Sequence, residues 1–574
     1  MKAPYTLADF RPTWRLGDTQ RYLLLSILIG IFAGLLVTVF HVSIDMLSWR
    51  VLGTPIGANP WATVLGPAVG ATAAAWLVRL GIPSAQGSGI TYTKSAIYVS
   101  DGYIPSSSVF GKFLACALSI GSGAPLGPED PALQMGAGVA SRLGRTLRLS
   151  RDHMRQIAPV GAAAGIAAAF NTPITAVLFV IEEVLSGWDA GVLGSIVLAA
   201  VSASVVTRTF LGDEPLFQVP RFTLTDPSEL LLYAGIGLAG GLAGALYTRG
   251  LLTLRARARR ASPWTTPLLP LAAGLAVGVT GLLLPQVLGA GYGAIDAALH
   301  DEFPWGLLLA LGVAKAILTA VCFSAGVPGG LFAPTLFVGA MLGGGIGGLA
   351  AGYWPAPTSP ASAYVLVGMG TFFAAVFRTP MTSIFMVFEV SATYVIILPV
   401  MVANTVAYLV SRSLQTQSLF EGLTRQDGAR FPTAEGRERR TRPVERLMAA
   451  ADYPRAPRTA TLGDARRLKA GAALDFLIVD GGETGEQLVR VPADPAPPDE
   501  TPLDDLARQH ALEELHPDDR LDDALELLGD HPVIAVVGRG APTRVLGVLR
   551  REHVLAAYGL TAPPRPVSET RAAT

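Results

Sequence analysis

Charge is what this sequence has least of. Asp, Glu, Lys and Arg together make up 15% of its 574 residues, against about 25% in a soluble globular domain. The formal net charge is +0, so nothing points to a nucleic-acid partner. Cysteine is nearly missing too. Cys116 and Cys322 are the only two, both in apolar stretches, which excludes a disulfide framework and a thiolate metal site. No Ser–His, Cys–His or metal-ligand constellation stands out, so neither an enzyme nor a bound cofactor is expected. The opening MKAPYTLADFRPTWRLGDTQR is too polar, and too long before the first apolar run, for a signal peptide. It reads as a short cytoplasmic segment, residues 1–21.

What is abundant is apolar. Hydrophobic residues make up 51% of the chain, and there are 63 glycines, small enough to let membrane helices approach closely. The run 22–44 carries no formal charge and exceeds the roughly 20 residues a bilayer requires. Further apolar segments lie near 62–80, 108–141, 156–181, 190–208, 230–248, 267–290, 305–325, 329–352, 362–388 and 390–411. Several are broken by Gly and Pro, as in SIGSGAPLGP (119–128) and SAGVPGGLFAP (324–334). From Ala316 to Phe377 there is no charged residue at all. Such a chain must satisfy its backbone internally, so it is a helix bundle, and helices interrupted partway can line a cavity.

Charges become dense only after about residue 412. The expected organisation is a membrane domain over 22–427, a cytoplasmic domain over 428–561 and a disordered tail over 562–574. Three basic clusters mark the cytoplasmic side by the positive-inside rule: Arg142, Arg145, Arg148, Arg151 and Arg155; Arg249, Arg255, Arg257, Arg259 and Arg260; and the stretch 425–446. Both termini are then cytoplasmic.

The membrane domain repeats itself. GPEDPALQMGA (127–137) aligns with GLFAPTLFVGA (330–340), and FNTPITAVLFVIEE (170–183) with FRTPMTSIFMVFEV (377–390). The two alignments share an order and nearly an offset. The halves span about 62–210 and 267–412. Repeated halves in a membrane protein mark transporters, with the site at the repeat interface near the midplane.

Glu129 and Asp130 are the only charges in 113–141. A carboxylate at bilayer depth costs about 2.5–3.5 kcal/mol on insertion scales and is a functional candidate by default. The setting P-L-G-P-E-D-P places Glu129 at a helix start, where free N–H groups and the helix dipole stabilise an anion. A place that stabilises a carboxylate also stabilises chloride. Glu129 can therefore act as a tethered anion that lets go when protonated. Asp130 is read as a helix cap.

Three motifs at helix starts, in this order, resemble those of the chloride channel/transporter (CLC) family. Gly87-Ser88-Gly89-Ile90-Thr91 resembles GSGIP, Gly127-Pro128-Glu129-Asp130-Pro131 resembles G-K/R-E-G-P, and Gly330-Leu331-Phe332-Ala333-Pro334 matches G-x-F-x-P. The resemblance covers roughly 20–430. It implies an all-α polytopic fold with inverted repeats and broken helices, and a homodimer with one pore per subunit in a bacterial cytoplasmic membrane. It also implies an anion site built from Ser88, Gly89, Ile90, Glu129, Leu331, Phe332 and Phe420. The Ser88 hydroxyl and the Leu331 and Phe332 N–H groups would donate to the central ion. Glu129 would be the gating glutamate and Glu183 the internal proton relay, while Glu182, repeated as Glu389, is structural. Some positions depart from the family pattern. Phe420 stands where the inner-gate tyrosine would be and lacks its hydroxyl, Pro128 replaces a basic residue, Asp130 a glycine and Thr91 a proline.

The region after 428 resembles a tandem CBS module. PVIAVVGRG (532–540) and RVLGVLRREHVLAAY (544–558) read as strand, turn, strand, helix, with a helix before them at 519–528. A looser copy occupies 462–510, around a GGETGE turn. Arg550 and His553 stand where the Ser/Thr and Asp of the nucleotide-binding pattern G-x-x-[ST]-x-x-D would be, so a structural role is expected rather than adenine-nucleotide binding. The leading reading is a proton-coupled chloride antiporter. A passive chloride channel of the same fold and a membrane-tethered sensor are the alternatives.

Overall fold

The computed structural model describes residues 18–54, 57, 59–185, 190–220, 226–354, 359–429, 443–450, 453–469, 476–480, 485–491, 498–510, 514–528, 531–539 and 544–557. The segment before Asp18, the tail 562–574, part of the basic stretch 425–446 and most of the GGETGE turn lie outside them. The chain forms two compact units, 1–431 and 432–574.

The first unit is a helix bundle. Its first half holds α1 (Asp18–Leu52), α2 (Pro60–Leu80), α3 (Gly89–Val99), α4 (Ser106–Gly121), α5 (Glu129–Thr146), α6 (Arg151–Phe170), α7 (Pro173–Phe179) and α8 (Ala190–Leu211). The second half holds α9 (Glu229–Arg259), α10 (Leu269–Leu283), α11 (Tyr292–Leu299), α12 (Trp305–Ser324), α13 (Phe332–Tyr353), α14 (Ala361–Phe377), α15 (Pro380–Ser391) and α16 (Ile397–Leu414), followed by α17 (Leu419–Gln426). Among the described residues, eight helices are long and apolar enough to cross a bilayer.

The halves match helix for helix, and so does their packing. α5 packs on α6 as α13 packs on α14, and α1 on α8 as α9 on α16. In the latter pairs, Gly30 and Gly34 lie on Ala199 and Ala203, and Gly237 and Gly241 on Ala403 and Ala407. These are small-xxx-small seams that bring two membrane helices into backbone contact. Each repeat thus takes in one helix more than the sequence pattern covers, α1 and α9. α9 also runs on through Arg249, Arg255, Arg257 and Arg259 rather than ending before them.

Sequence punctuation explains the breaks. α6 stops at Asn171, whose backbone is left-handed (φ 56°), and Thr172-Pro173 starts α7. α14 stops in the same way at Arg378 (φ 61°), and Thr379-Pro380 starts α15. A left-handed residue ends the helix ladder, and proline fits the first position of the next helix, where no N–H is needed.

The repeats also exchange caps. Glu182 accepts hydrogen bonds from the Met381 N–H (3.2 Å), the Thr382 N–H (2.8 Å) and the Thr382 hydroxyl (2.6 Å). Glu389 does the same for Ile174 (2.9 Å) and Thr175 (2.6 Å to N–H, 2.5 Å to hydroxyl). Each carboxylate satisfies orphan N–H groups at the start of the other half's short helix. Glu182→Ala and Glu389→Ala should each lower the thermal unfolding midpoint in detergent, by a loss of about 1–3 kcal/mol. An unchanged midpoint would show the caps to be dispensable.

The second unit is α/β and contains two similar βαββα passes. The first is β2 (Arg455–Pro457), α18 (Leu462–Lys469), β3 (Phe476–Asp480), β4 (Glu486–Arg490) and α19 (Leu503–His510). The second is β5 (Glu514–Leu515), α20 (Leu521–Leu528), β6 (Val533–Val537), β7 (Val545–Arg550) and α21 (Arg551–Ala557). In each, the first strand pairs parallel with the second and the second antiparallel with the third. β1 (Ala449–Ala450) adds to the edge at β7. Phe476, Ile478 and Leu488 of one sheet share a core with Val533, Ala535 and Val548 of the other.

Candidate functional site

Two broken segments meet at the repeat interface. Gly127 and Gly330 form an antiparallel bridge, N–H to carbonyl in both directions, at 2.9 and 2.7 Å. The loops that carry them are clasped across the repeat. The Ser119 hydroxyl on α4 donates to the Pro328 carbonyl, and the Thr319 hydroxyl on α12 donates to the Pro125 carbonyl at 2.8 Å. The starts of α5 and α13 are therefore held face to face, and an antiparallel bridge between equivalent segments is the geometry of inverted repeats.

Glu129, the first residue of α5, is fully buried. One carboxylate oxygen, Oε2, accepts from the Ala333 N–H on α13 at 3.3 Å, while Oε1 has no partner among the described residues. Only glycine at 127 permits this fold-back, because a Cβ there would lie 2.4 Å from Glu129 Oε2. Leu331 and Phe332, also buried, begin the α13 turn. First-turn N–H groups such as those of Leu331 and Phe332 have no partner one turn back.

Ser88 caps α3, accepting from the Ile90 N–H at 3.2 Å. Its hydroxyl donates to Asp130 Oδ1 at 3.1 Å, and the Ile90 N–H reaches the same oxygen at 2.8 Å. Ser88, expected to offer its hydroxyl to chloride, offers it here to a carboxylate. Asp130 is a cap, but for α3 rather than for its own helix. Gly89 allows this contact, since a Cβ there would meet the Asp130 carbonyl at 2.3 Å.

Phe332 is the hub of an aromatic wall. Phe170, Phe179, Phe373, Phe377 and Phe420 surround it, with ring centroids at 4.9–6.2 Å. Phe420 is fully buried and stacks on Phe377 at 4.7 Å. It supplies bulk and an apolar face, with no hydroxyl.

Glu183 stands apart from this cluster, in a π-helical turn (Val180–Val184) that extends α7. It is buried, and its Oε1 accepts from Lys94 Nζ at 2.8 Å. Lys94 lies on α3, six residues after Ser88, or roughly 9 Å along the axis. One short helix thus carries an anion donor at its start and the partner of Glu183 further on.

Sequence reasoning missed Lys94, although it is the only charge between Arg79 and Asp101. It also missed a repeated pair of buried lysines. Lys112 Nζ donates to the carbonyls of Ala85 (3.2 Å) and Gly87 (2.5 Å), and Lys315 Nζ to those of Val287 (2.8 Å) and Gly289 (2.6 Å). Each lysine ties down the turn before a short helix, α3 or α11. A single lysine in an apolar run, found again at nearly the repeat offset, was the available signal.

A cavity of about 1060 Å³ is lined by Pro128, Phe170, Asn171, Gly291 and Tyr292, with His41 and Asp45 of α1. Pro128 adjoins Glu129, and Phe170 and Asn171 end α6, so this opening lies a helix length from the arginines between α5 and α6.

Comparison with known proteins agrees with this architecture. Residues 69–412 match the family model described as voltage gated chloride channel. A ClcB-like protein of Ralstonia nicotianae is 34% identical over 71% of this chain and 98% of its own length. The H(+)/Cl(−) exchange transporter ClcA of Cronobacter sakazakii is 31% identical over 72% of this chain and 92% of its own. Among solved structures, a slow cyanobacterial Cl−/H+ antiporter superposes with a TM-score of 0.65 at 24% identity, covering 72% of this chain and 98% of that one. A eukaryotic CLC transporter superposes at 0.61 with 20% identity, covering 93% and 98%. Bridged broken helices, exchanged caps and the match of sequence across both repeats lead to one conclusion: this multi-pass membrane chain belongs to the voltage gated chloride channel family.

Proposed function

We propose that the chain is a proton-coupled chloride antiporter. The observation that carries this reading is the Glu129 carboxylate, fully buried and folded onto the start of α13 with one oxygen bare. An anionic Glu129 occupies donors that would otherwise hold chloride. Protonation removes its charge and its hold, and the path opens toward the cavity beside Pro128. The donors are a hydroxyl and backbone N–H groups, Ser88 with Ile90 and Leu331 with Phe332. They are neutral, so an ion can leave as well as bind. Phe420 walls the path as bulk. Glu183, on the turn leading back toward the arginine-rich end, would pass protons between the cytoplasm and Glu129. The name of the Cronobacter relative, an H(+)/Cl(−) exchange transporter, supports exchange over passive flow.

The basic helix ends support a reading with both termini in the cytoplasm of a bacterial cell, and the working form is read as a homodimer with one pore per subunit. The second unit, with its two βαββα passes, is read as a CBS-like module that needs no nucleotide and no cofactor. Deleting it should leave flux intact, whereas a membrane-tethered sensor would show no flux in the first place.

The test is the full-length protein in liposomes, with chloride efflux and proton uptake recorded together. An outward chloride gradient should drive protons inward. Glu183→Gln should cut proton movement by roughly 10²-fold or more, the scale of a lost proton-transfer group, and leave chloride efflux running. Chloride efflux without protons in the wild type would make the chain a passive channel instead.

A further inference from the structure

The first turn of α5 carries two adjacent carboxylates, and they reach different helix starts. Glu129 lies on α13 through the Ala333 N–H, and Asp130 lies on α3 through the Ser88 hydroxyl and the Ile90 N–H. Both are fully buried, and each keeps one oxygen without a hydrogen-bond partner among the described residues, Glu129 Oε1 and Asp130 Oδ2. Asp130 holds α3 more firmly than Glu129 holds α13, with bonds of 2.8 and 3.1 Å against the 3.3 Å contact of Glu129 with Ala333. Lys112, buried on α4, supplies the nearby positive charge that acts on it.

These contacts conflict with a chloride ion at Ser88. A serine hydroxyl has one proton to donate, and here it points at Asp130. The Ile90 N–H also has its shorter contact with Asp130 rather than with Ser88. A chloride brought to the same donors would face a like charge within a few ångströms in a low-dielectric site. The two anions cannot share them.

We propose that Asp130 is a second tethered anion, seated on the α3 donors, and that chloride reaches Ser88 and Ile90 only by displacing it. This rests on the reading of Ser88 and Ile90 as anion donors. Asp130 then sets how tightly the α3 side of the path holds chloride. Glu129 acts separately, on the α13 side. The chain would be a weak chloride binder by construction, with an affinity limited by its own side chain.

Calorimetric titration of the purified full-length protein with chloride, in detergent at one fixed pH, tests this. Asp130→Gly removes the competitor and should tighten chloride binding roughly tenfold or more, the worth of two freed hydrogen-bond donors. Asp130→Asn keeps acceptors for both donors but not the charge, and should fall between the two. Ser88→Ala alone should stay within about twofold of wild type, because its hydroxyl is already engaged. Added to Asp130→Gly, it should cancel most of the gain, a non-additivity that locates the effect at the shared donors. Should Asp130→Gly not fold, Asp130→Asn and the Ser88→Ala/Asp130→Asn pair carry the same comparison. Asp130 variants that keep the wild-type melting midpoint and bind chloride within twofold of wild type would overturn the inference and leave Asp130 a plain cap. A wild type that neither binds nor transports chloride would overturn the antiporter reading, and this inference with it. Chloride transport with unaltered binding in the Asp130 variants would overturn the inference alone.

Discussion

Glu129→Gln should stop proton movement while chloride still flows. Glutamine keeps the length and shape of the side chain and can still accept from the Ala333 N–H. It cannot carry a proton, and it brings no negative charge to the start of α13. No charged competitor then holds the N–H groups there at any pH, so the variant mimics the protonated, open state. Proton flux in liposomes should fall by roughly 10²-fold or more, as expected when the only group able to make the transfer is lost. Chloride flux should persist and lose its dependence on the proton gradient. The effect is large because no second acid can substitute along α5 or α13. The neighbouring Asp130 is bound to α3, and the first turn of α13 has no acidic residue. Proton uptake within twofold of wild type would remove Glu129 from the proton path and leave it as an anion-side gate only. Comparing this variant with Glu183→Gln separates the two ends of the path. Both should lose protons, but only Glu129→Gln should change the pH dependence of chloride flux.

The start of α5 was legible in the sequence for local reasons. Proline and glycine punctuate the break before it, and charges are so scarce that Glu129 and Asp130 stand alone. The repeat was legible because both halves spend the same residues on the same joints, as with Phe170-Asn171-Thr172-Pro173 and Phe377-Arg378-Thr379-Pro380. What stayed hidden depends on contacts distant in the chain. α3 and α11 are 11 and 8 residues long, too short for a hydropathy window. α3 also buries Thr91, Thr93 and Lys94 among other helices, so its sequence looks like a polar loop. Asp130 resembled a cap for its own helix because nothing local reveals that its acceptors serve residues 40 and 42 positions away. Glu229 was passed over in the polar run before α9. It is fully buried, accepting from the Ser359 N–H, the Ser359 hydroxyl (2.7 Å) and the Tyr364 hydroxyl (3.0 Å). A helix start rich in Asp and Ser is usually solvated, and only the packed fold shows that this one is not.

A close glycine-lined helix crossing in each repeat should be a place where one added methyl group does great harm. α5 meets α6 at Gly136 and Gly161, and α13 meets α14 at Gly339, Gly343 and Gly368. A Cβ at Gly136 would lie 2.2 Å from the Gly161 carbonyl oxygen, and one at Gly161 would lie 2.3 Å from the Gly136 carbonyl. At Gly343 the intruded atom is the Tyr364 carbonyl oxygen at 2.1 Å, and at Gly368 it is the Gly339 carbonyl at 2.3 Å. These neighbours are backbone atoms and cannot turn aside as a side chain would. The helices must separate, which opens voids on both sides of the crossing. Overpacking of a close-packed interior costs typically about 1–3 kcal/mol and sometimes more, and the rigid backbone on both sides puts these positions at the upper end. Gly161→Ala should lower the thermal midpoint in detergent, and Gly161→Val should yield no folded protein by fluorescence-detected size exclusion. Gly368→Ala should reproduce the loss in the second repeat. Gly250 on α9, where nothing lies within 4 Å of the added carbon, is the control. Ala there should be neutral or gain up to about 1 kcal/mol from helix propensity. Function should fail along with stability in the crossing variants, because the same two helices begin at Glu129 and at Phe332. Moving α5 off α6 by even part of an ångström would shift the carboxylate relative to the Ala333 N–H, whose contact is already at the long end of a hydrogen bond. A Gly161→Ala protein that melted and transported like wild type would mean the crossing has slack that the close backbone approach does not show.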